Sequence, residues 1–388
     1  MTLQELITVL HTHSHHLMVV VLLAFSGSWL LVLTARWHGR FSMDHVQGVQ
    51  KFHAVPTPRI GGVPIVFGLA LLAWWIGPRW LADDAEPGIS EEAVLLLQSL
   101  VVGGTLAFAF GLLEDLTKRV GVLVRLLATM ASGVLAWWLT GVSITRVDIP
   151  FIDPLLYWVP LSVLFTAFAV GGVANALNIV DGFNGLASST TVWSALGLAA
   201  IAAAVGDAPL AAVCLLLAAA AFGFFAVNWP FGKIFLGDGG SYFLGFGLAW
   251  CAVLLIERNP GVTAFAPLLV CAFPIIEVLF SAFRRKVRHQ SPGQPDRLHL
   301  HSLVKQRYIR RWLSGSPMWW RNSVTGLVVG AFTVPCALLG IYLHQTPAAA
   351  ATAFVLLLLA YVTLYARMVR QRWCSPFTFL LMVPKSGS

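Results

Sequence analysis

Charged residues are scarce in this sequence. Asp, Glu, Lys and Arg make up only 11% of its 388 residues, whereas soluble domains carry about 25%. Hydrophobic residues account for 58%, and the mean hydropathy is +0.79. Apolar runs recur along the whole chain and leave no stretch long enough for a separate soluble domain. The composition therefore excludes an ordinary soluble protein and predicts one integral membrane domain over residues 1–388.

Cysteine motifs are also lacking. The five cysteines are scattered, and none forms a CxxC pair or another ligand spacing. Four of them lie in apolar runs, where cysteine behaves as a small hydrophobe. The sequence therefore predicts neither a disulfide framework nor a zinc site. The cysteines are Cys214, Cys251, Cys271, Cys336 and Cys374.

Apolar segments of membrane-spanning length are abundant. A helix needs roughly 20 apolar residues to cross about 30 Å of hydrocarbon, and clusters of charge, proline and glycine divide the chain into eleven such segments. Because backbone hydrogen bonds in lipid must close within each segment, the segments are predicted to be helices and the fold all-α. The predicted spans are 17–35, 61–77, 93–112, 122–140, 159–177, 187–205, 210–227, 241–257, 263–283, 322–343 and 349–366.

Basic residues predict the orientation of these spans, since loops rich in Lys and Arg stay in the cytoplasm. One set of alternate loops holds all but four of the 25 basic residues. Arg79, Arg146 and Arg258 fall in the opposite set, and Arg125 lies inside a span. We therefore expect the N-terminus outside and the C-terminus in the cytoplasm. The net charge of +8 then requires no nucleic acid, because basic cytoplasmic loops also attract anionic lipid headgroups.

Carboxylates show a more informative pattern. Seven of the 17 acidic residues fall at the predicted cytoplasmic side, and several of them adjoin a span within a turn rich in glycine or asparagine. Polar groups are expensive at such positions and usually serve a function. The seven are Asp44, Glu114, Asp115, Asp181, Asp238, Glu277 and Asp296.

The segment GLLEDLTK ends the third predicted span with two adjacent carboxylates, Glu114 and Asp115. Adjacent carboxylates repel one another and are tolerated best where they share a cation or a proton. Lys118, one turn later, adds a fixed positive charge. The pair is a candidate general base or metal ligand, and a solvated helix end is an equally good interpretation of this motif alone.

The segment NALNIVDGFNGL follows the fifth predicted span. It carries four polar side chains at intervals of three residues, along one drifting stripe of a helix end. Lipid cannot satisfy these groups, so they need a metal, sugar hydroxyls or phosphate; interhelical hydrogen bonding is the alternative. The four are Asn175, Asn178, Asp181 and Asn184.

The segment FLGDGGS places Asp238 among glycines directly before the eighth predicted span. An acid in a flexible turn at a helix N-terminus suits a Mg²⁺ ligand beside phosphate, because the free N–H groups of a helix start favour anions. An N-cap role also explains Asp238. Its predicted position on the same membrane face as the other motifs favours the metal.

The segment PDRLHLHS lies in the large basic loop between the ninth and tenth predicted spans. An extended arrangement of this loop would direct Arg297, His299 and His301 at a diphosphate or a uracil ring. A purely structural loop is the alternative, and a zinc site lacks a third ligand.

The segment KFHAVPTPRIGG precedes the second predicted span. Lys51, His53 and Arg59 make it a cationic patch, and its prolines and glycines set a rigid turn into the membrane. A positive-inside anchor is an equally good interpretation of these residues.

Taken together and in chain order, these five motifs resemble the motif series of the polyprenyl-phosphate N-acetylhexosamine-1-phosphate transferases. That family includes the phospho-MurNAc-pentapeptide translocase of peptidoglycan synthesis and the GlcNAc-1-phosphate transferase that initiates surface polysaccharides. The resemblance runs from about residue 50 to 310 and is specific, because five ordered motifs agree with the family's membrane topology. The chain lacks the longer histidine-rich signature of the peptidoglycan translocase and looks closer to the polysaccharide-initiating branch.

The resemblance implies roles for individual residues. It implies that catalysis and the polyprenyl phosphate involve Glu114, Asp115 and Asp181. It implies that Asp238 is a Mg²⁺ ligand, with Asn178 or Asp181 as a second one. It also implies that His299 and His301 contact the nucleotide-sugar. The motifs themselves add further residues that we expect to bind substrate: Lys51, His53, Lys118, Asn175, Asn184 and Arg297.

Four positions depart from the family's pattern. Glu114 and Glu277 stand where Asp is usual. Asn184 replaces the second acid of a DGxDG pattern, and Ser302 replaces the final histidine of an HxHH series. These changes bear on specificity more than on activity, and the extra methylene of Glu114 makes Asp115 the stronger catalytic candidate.

The resemblance implies a reaction at the cytoplasmic face of a bacterial inner membrane. The polyprenyl phosphate attacks the β-phosphorus of a UDP-sugar, UMP leaves, and the polyprenyl-diphospho-sugar stays in the bilayer. Mg²⁺, with Mn²⁺ as an alternative, neutralises the two anions that must meet. UDP-GlcNAc is the default donor, FucNAc, QuiNAc and GalNAc donors stay open, and a homodimer is compatible with the resemblance.

Two other classes of protein are alternatives to this interpretation. A transporter predicts polar groups near the bilayer midplane and an internal repeat, and the sequence has neither. A receptor or scaffold gives no reason for several acidic motifs on one side of the membrane.

Overall fold

The computed structural model describes residues 3–44, 56–81, 89–287 and 298–370. These residues are almost entirely helical, as their apolar runs predict, and their only strands, β1 (Met43–Asp44) and β2 (Thr57–Pro58), pair antiparallel. The helices are α1 (Leu3–Thr12), α2 (Ser14–Leu33), α3 (Ala35–Ser42), α4 (Gly62–Leu71), α5 (Gly77–Leu81), α6 (Glu91–Gly103), α7 (Thr105–Thr117), α8 (Val122–Thr140), α9 (Asp153–Leu156), α10 (Val159–Val180), α11 (Leu186–Ala204), α12 (Ala208–Asn228), α13 (Gly237–Arg258), α14 (Phe265–Val270), α15 (Ala272–Val287), α16 (Leu300–Val304), α17 (Arg310–Trp312), α18 (Met318–Gly330), α19 (Thr333–Tyr342) and α20 (Pro347–Arg370). Two π-helical turns, Leu72–Ile76 and Lys305–Ile309, continue α4 and α16.

Within the described residues, nine helical segments are long and apolar enough to cross a membrane, and the bent pair of α6 and α7 adds a tenth. They correspond to ten of the eleven predicted spans. The remaining predicted span, 263–283, is divided at Cys271 into α14 and α15. The all-α, polytopic membrane fold is thus confirmed, while the count of eleven and the sidedness of the termini stay predictions.

Helix α13 is the centre of the bundle. Its apolar window is 94% buried, against 22% for α2 and for α20, and it contacts α4, α7, α8, α10, α11 and α12. Small residues let helices approach closely in a membrane, and the alanine-rich α11 and α12 pack together beside it. The helices that surround α13 therefore determine where its ends lie.

The bend between α6 and α7 brings this pair against α13. The two helices meet at 41° where Gly103 and Gly104 adjoin. A Cβ on Gly103 would lie 2.9 Å from the ring of Phe246, and one on Gly104 would lie 2.7 Å from the ring of Phe243. The glycines thus leave room for two aromatic side chains of the central helix.

Three backbones touch at the start of α13. The N–H groups of Gly61 and Gly62 donate to the two carbonyls that precede α13, both at 3.0 Å. A Cβ on Gly62 would overlap the backbone of Gly240, and a Cβ on Gly111 of α7 would lie 2.6 Å from the carbonyl carbon of Asp238. Only glycine permits this approach, which sets the segment before α4, the end of α7 and the start of α13 side by side.

Candidate active site

Asp115, near the C-terminal end of α7, holds the start of α13. It is 1% exposed and accepts hydrogen bonds from the backbone N–H groups of Asp238 (3.0 Å) and Gly239 (2.9 Å). A helix start leaves such groups without an intrahelical partner, so Asp115 caps α13 from another helix. Arg59 Nε donates to the same carboxylate at 2.9 Å. With both oxygens engaged, Asp115 positions α13 in this conformation, and its predicted part in catalysis stays a prediction.

The carboxylate of Asp238 lies among three donors from separate segments. Arg59 Nη2 donates to its Oδ1 at 3.2 Å and Asn178 Nδ2 donates to the same oxygen at 3.1 Å. Arg125, in the first turn of α8, donates to Oδ2. Arg59 also lies 3.6 Å from Asp44. Two guanidinium groups thus converge on one carboxylate at this end of the bundle.

Asp181 ends α10 beside this cluster. The residue is half-buried, and its carboxyl group is largely removed from water. This desolvation raises the pKa of Asp181 to about 7, and the negative charges of Asp238 and Asp115 add to the effect. A carboxyl group with such a pKa exchanges a proton near neutral pH. The structure therefore brings Asp115, Asp181 and Asp238 together, as a common site requires.

Glu114 and Lys118 stabilise the end of α7. Glu114 accepts a hydrogen bond from the backbone N–H of Val120 at 2.8 Å. Lys118 adopts a left-handed conformation (φ 58°), and its Nζ donates to the carbonyl of Asp115 at 2.8 Å. Burial lowers the pKa of Lys118, and the positive charge of Arg59 adds to this lowering. A lysine near the last carbonyls of a helix is a favourable C-terminal partner.

The asparagines of α10 serve different contacts. Asn178 donates to Ser241 Oγ of α13 at 2.8 Å, in addition to its bond to Asp238. Asn175, one turn earlier, donates to Thr129 Oγ1 of α8 at 2.9 Å. Interhelical hydrogen bonding, the alternative left open by the sequence, therefore describes both asparagines, and Asn178 in addition contacts the acidic cluster through Asp238.

Asn184 lies deeper in the fold than its motif suggests. It is 7% exposed, and its Nδ2 donates to the carbonyl of Pro230 and to Ser323 Oγ, both at 3.1 Å. These bonds tie the turn between α10 and α11 to the loop before α13 and to α18. The amide of Asn184 is thus engaged by the scaffold, and its predicted contact with substrate stays a prediction.

His299 belongs to a second polar cluster, centred on Glu277 of α15. Glu277 is fully buried, and its Oε1 lies 2.9 Å from His299 Nδ1. The hydroxyl of Tyr361, on α20, donates to Oε2 of Glu277 at 2.6 Å. Because a carboxylate beside Nδ1 fixes the tautomer and orientation of an imidazole, Glu277 orients the histidine motif.

His301 connects this second cluster to the turn that follows Asp181. Its ring is stacked on that of His299, with centroids 5.3 Å apart, and lies edge-on to Phe183 at 5.4 Å. Gly182 is so close that a Cβ on it would lie 2.8 Å from His301 Nε2. The histidine motif and the segment that carries Asp181 thus share one surface.

The structure also brings to the site residues whose roles the sequence motifs leave open. From the sequence, a positive-inside anchor is an equally good interpretation of Arg59, and Arg125 is a basic residue inside a predicted span. That position was itself a signal, because a charge within an apolar span is a functional candidate. Glu277, inside the predicted span 263–283, carries the same signal. Lys51, His53 and Arg297 lie outside the described residues, and their roles stay predictions.

Oxygen ligands that suit Mg²⁺ are present in Asp238, Asp181 and Asn178. In the part of the chain that the structure describes, no three His, Cys, Asp or Glu side chains form a preformed metal centre. Mg²⁺ commonly takes one or two protein carboxylates together with waters and substrate phosphates, and this donor set fits that pattern. Arg59 and Arg125 provide the positive charge at Asp238 in the structure.

Comparison with known proteins places the site within a known family region. Residues 97–256, which include Asp115, Asp181 and Asp238, match the model of glycosyl transferase family 4. A probable undecaprenyl-phosphate N-acetylglucosaminyl 1-phosphate transferase of Bacillus subtilis is 29% identical over 263 residues, covering 65% of this chain and 66% of the relative.

Two further relatives extend the comparison. A decaprenyl-phosphate N-acetylglucosaminephosphotransferase of Mycolicibacterium smegmatis is 28% identical over 321 residues, covering 75% of this chain and 74% of the relative. A phospho-N-acetylmuramoyl-pentapeptide-transferase of Clostridium perfringens is 31% identical over 203 residues, covering 51% of this chain and 61% of the relative. The chain thus aligns with roughly two thirds of the length of these curated relatives.

Proposed function

We propose that this chain, whose residues 97–256 match the model of glycosyl transferase family 4, transfers an N-acetylhexosamine 1-phosphate from a UDP-sugar to a polyprenyl phosphate. UDP-GlcNAc is the proposed donor and undecaprenyl phosphate the proposed acceptor, as the first step of a surface polysaccharide. Donors that carry FucNAc, QuiNAc or GalNAc are the alternatives. The observation that carries the proposal is the convergence of three carboxylates and two arginines at one end of the bundle.

The reaction joins two anions, so its barrier is largely electrostatic. Arg59 and Arg125 supply fixed positive charge beside Asp238, and a guanidinium group suits a phosphate because it can donate two parallel hydrogen bonds. We assign to both arginines the binding and orientation of the reacting phosphates. His301 lies at the border of the same surface and is proposed to bind the nucleotide-sugar.

Asp181 is the carboxyl group that we assign to the acceptor phosphate. Its raised pKa lets it take or hold a proton at neutral pH. An acceptor oxygen attacks the β-phosphorus of the UDP-sugar, the bond from that phosphorus to the bridging oxygen breaks, and UMP leaves with the electron pair. Asp115 acts as a positioning residue, since it holds the backbone of Asp238 and the side chain of Arg59.

A divalent cation is part of this proposal, Mg²⁺ in the first place and Mn²⁺ as the alternative. Asp238 would hold it, with Asn178 or Asp181 as the second ligand, and it would neutralise charge on the diphosphate and on the leaving UMP. Asn178 would serve through its Oδ1, since its Nδ2 faces Asp238 in the structure. We further propose that this end of the bundle faces the cytoplasm of a bacterial inner membrane, because the loops at this end hold most of the basic residues.

The decisive experiment measures UMP release by the purified protein in nanodiscs with polyprenyl phosphate and a panel of UDP-sugars. UDP-GlcNAc with Mg²⁺ is expected to give UMP and a labelled lipid product. Asp238→Asn is expected to abolish both, whereas Asp153→Asn, a matched change at the far end of the bundle, retains them. Absence of UMP release with every sugar would contradict the function, and full activity of Asp238→Asn would remove Asp238 from the metal site.

A further inference from the structure

Helix α3 presents a basic and aromatic face at the same end of the bundle as the candidate site. Trp37 and Phe41 are 71% and 65% exposed, and Arg36 and Arg40 are exposed beside them. The four residues recur at one-turn spacing on one side of the helix. The guanidinium carbons of Arg36 and Arg40 lie 5.1 and 6.0 Å from the ring centroids of Trp37 and Phe41, respectively.

The chemistry of this face matches the headgroup region of a bilayer. Aromatic side chains such as Trp sit at the level of the headgroups, and basic residues near the surface are attracted to anionic lipid. Arg36 and Arg40 have no ion-pair partner among the residues with a described position. Because α3 follows the apolar span of α2 after a single residue, it lies where the chain leaves the hydrocarbon.

The opposite side of α3 is bonded to the site. His38 Nδ1 lies 2.6 Å from Ser42 Oγ, and the carbonyl of Ser42 accepts the backbone N–H of Arg59 at 2.9 Å. Asp44, in β1, pairs with the guanidinium of Arg59 at 3.6 Å, and β1 is paired with β2 directly before Arg59. The position of α3 is therefore linked to the arginine that contacts Asp115 and Asp238.

We propose that α3 is an interfacial helix that binds the anionic phospholipids of the bilayer surface, and that this binding holds Arg59 in the candidate site. The partner is the bulk phospholipid, not the polyprenyl phosphate acceptor. The surface continues to Lys233, whose Nζ lies 4.5 Å from the ring centroid of Trp29 on α2. Lys233 is exposed and adds positive charge near α3, at the level of the bilayer surface.

Hydrogen–deuterium exchange of the α3 amides tests the contact without reference to any reaction. The intact protein is placed in nanodiscs of phosphatidylcholine alone or with added phosphatidylglycerol. Exchange across 35–42 is expected to slow in the anionic nanodiscs, by roughly fivefold for each arginine engaged. The double variant Arg36→Gln/Arg40→Gln is expected to lose this slowing, and Arg36→Lys/Arg40→Lys to keep it.

Arg79→Gln is the matched control, because Arg79 also lies over an aromatic ring, that of Trp75 at 4.4 Å, at the far end of the α4–α5 span. It is expected to leave the slowing at α3 unchanged. Equal exchange of the wild-type helix in neutral and anionic nanodiscs would overturn the proposal. So would an undiminished slowing in the double glutamine variant.

The coupling to Arg59 is tested through UMP release and rests on the proposed function. Phosphatidylglycerol is expected to raise the rate at saturating polyprenyl phosphate, and the double glutamine variant to lose this rise with its rate in neutral lipid unchanged. A raised KM for polyprenyl phosphate together with an intact response to phosphatidylglycerol would assign the arginines to the acceptor and overturn the proposal. Slowed exchange at α3 in a protein that releases no UMP would support the lipid contact and contradict only the proposed function.

Discussion

Two carboxyl groups of the site differ in what surrounds them, and their surroundings separate their tasks. Asp115 is buried, and it accepts two backbone N–H bonds and one from a guanidinium. Asp181 is half-buried, and desolvation with neighbouring negative charge raises its pKa to about 7. Two carboxyl groups with such different hydrogen-bond partners can serve different roles in one site. Asp115 therefore suits positioning, and Asp181 suits proton exchange.

Replacement of Asp115 tests this division. Asp115→Asn keeps the shape of the side chain but turns an amide donor toward the N–H of Gly239 or toward Arg59. An unpaired buried donor costs roughly 1–3 kcal/mol, so the melting temperature should fall and the transfer rate should drop by about 100-fold. The pH profile of the remaining activity is expected to match that of the wild type.

Glu114→Gln is the control for that measurement. Its amide oxygen can still accept the N–H of Val120, so its rate should fall by less than about tenfold. The contrary result is a rate that stops depending on pH on one side of its optimum in Asp115→Asn. That result would show that Asp115 itself exchanges a proton during the reaction. The assignment of a positioning role to Asp115 would then be wrong.

Glu277 offers a second test at the level of a side chain. Glu277→Gln removes the charge beside His299 Nδ1 and leaves only one acceptor for His299 and Tyr361. Changes in the partners that orient a functional histidine commonly cost 10–100-fold. We expect KM for the UDP-sugar to rise by roughly tenfold, with KM for polyprenyl phosphate unchanged.

Tyr361→Phe provides the comparison, since it removes one hydrogen bond and keeps the carboxylate. Its effect should correspond to about 1 kcal/mol, or roughly fivefold. Equal changes in both KM values for Glu277→Gln would show that the substitution disturbs the bundle as a whole. Orientation of the histidine motif would then not be the function of Glu277.

Among the elements, the contact between α7 and the start of α13 depends on the absence of a side chain at Gly111. A Cβ there would lie 2.6 Å from the backbone of Asp238. Backbone cannot move aside as a flexible side chain can, so Gly111→Ala must separate the two helices. Asp115 would then lie farther from the backbone N–H groups that it caps and farther from Arg59.

Gly111→Ala is therefore expected to lower the melting temperature and reduce transfer by at least about tenfold. Gly172→Ala is the matched control, because Gly172 lies within α10 and a Cβ there would meet nothing within 4 Å. Alanine is the better helix former by about 1 kcal/mol, so Gly172→Ala should leave both quantities unchanged or raise the melting temperature. Wild-type behaviour of Gly111→Ala would show that the close packing of α7 on α13 is not required.

The sequence could predict these elements but not their contacts. The lengths of the apolar segments predict ten of the spans that the structure contains. The composition of the turns predicts that Asp181 and Asp238 lie at helix ends. An N-cap role at the start of α13 was also foreseeable, yet the side chain that caps it is Asp115, 123 residues away. Contacts of this kind depend on how helices pack, which local patterns do not encode. The division of span 263–283 at Cys271 is a similar case, since its composition remains apolar throughout.

Considered as a whole, the molecule is polar at both ends, but the two ends differ in how their charges are satisfied. At the far end, Arg146 donates to the carbonyls of Ile256 (2.9 Å) and Val262 (2.7 Å), and Asp207 caps α12 and pairs with Arg258. These bonds close loops between helices. Arg258 is shared there by Glu92 and Asp207, much as Arg59 is shared by Asp115 and Asp238 at the candidate site. At the candidate site, however, a further carboxyl group, that of Asp181, lies beside the shared arginine, and burial disfavours its charge. This asymmetry is why we assign the chemistry to one end only.

The proposed reaction requires that end to face the cytoplasm, and cysteine labelling can determine its orientation. Lys233 and Arg79 are exposed at opposite ends of the bundle. The four native cysteines of the described chain, Cys214, Cys251, Cys271 and Cys336, are buried, so a background with Cys374→Ser should react little. In spheroplasts, a membrane-impermeant maleimide is expected to label Arg79→Cys and to spare Lys233→Cys. In inverted vesicles the pattern should reverse, because 21 of the 25 basic residues lie in loops assigned to the cytoplasm. Labelling of Lys233→Cys from outside the cell would place the carboxylates where a cytoplasmic UDP-sugar cannot reach them, and the proposed function would fail with the orientation.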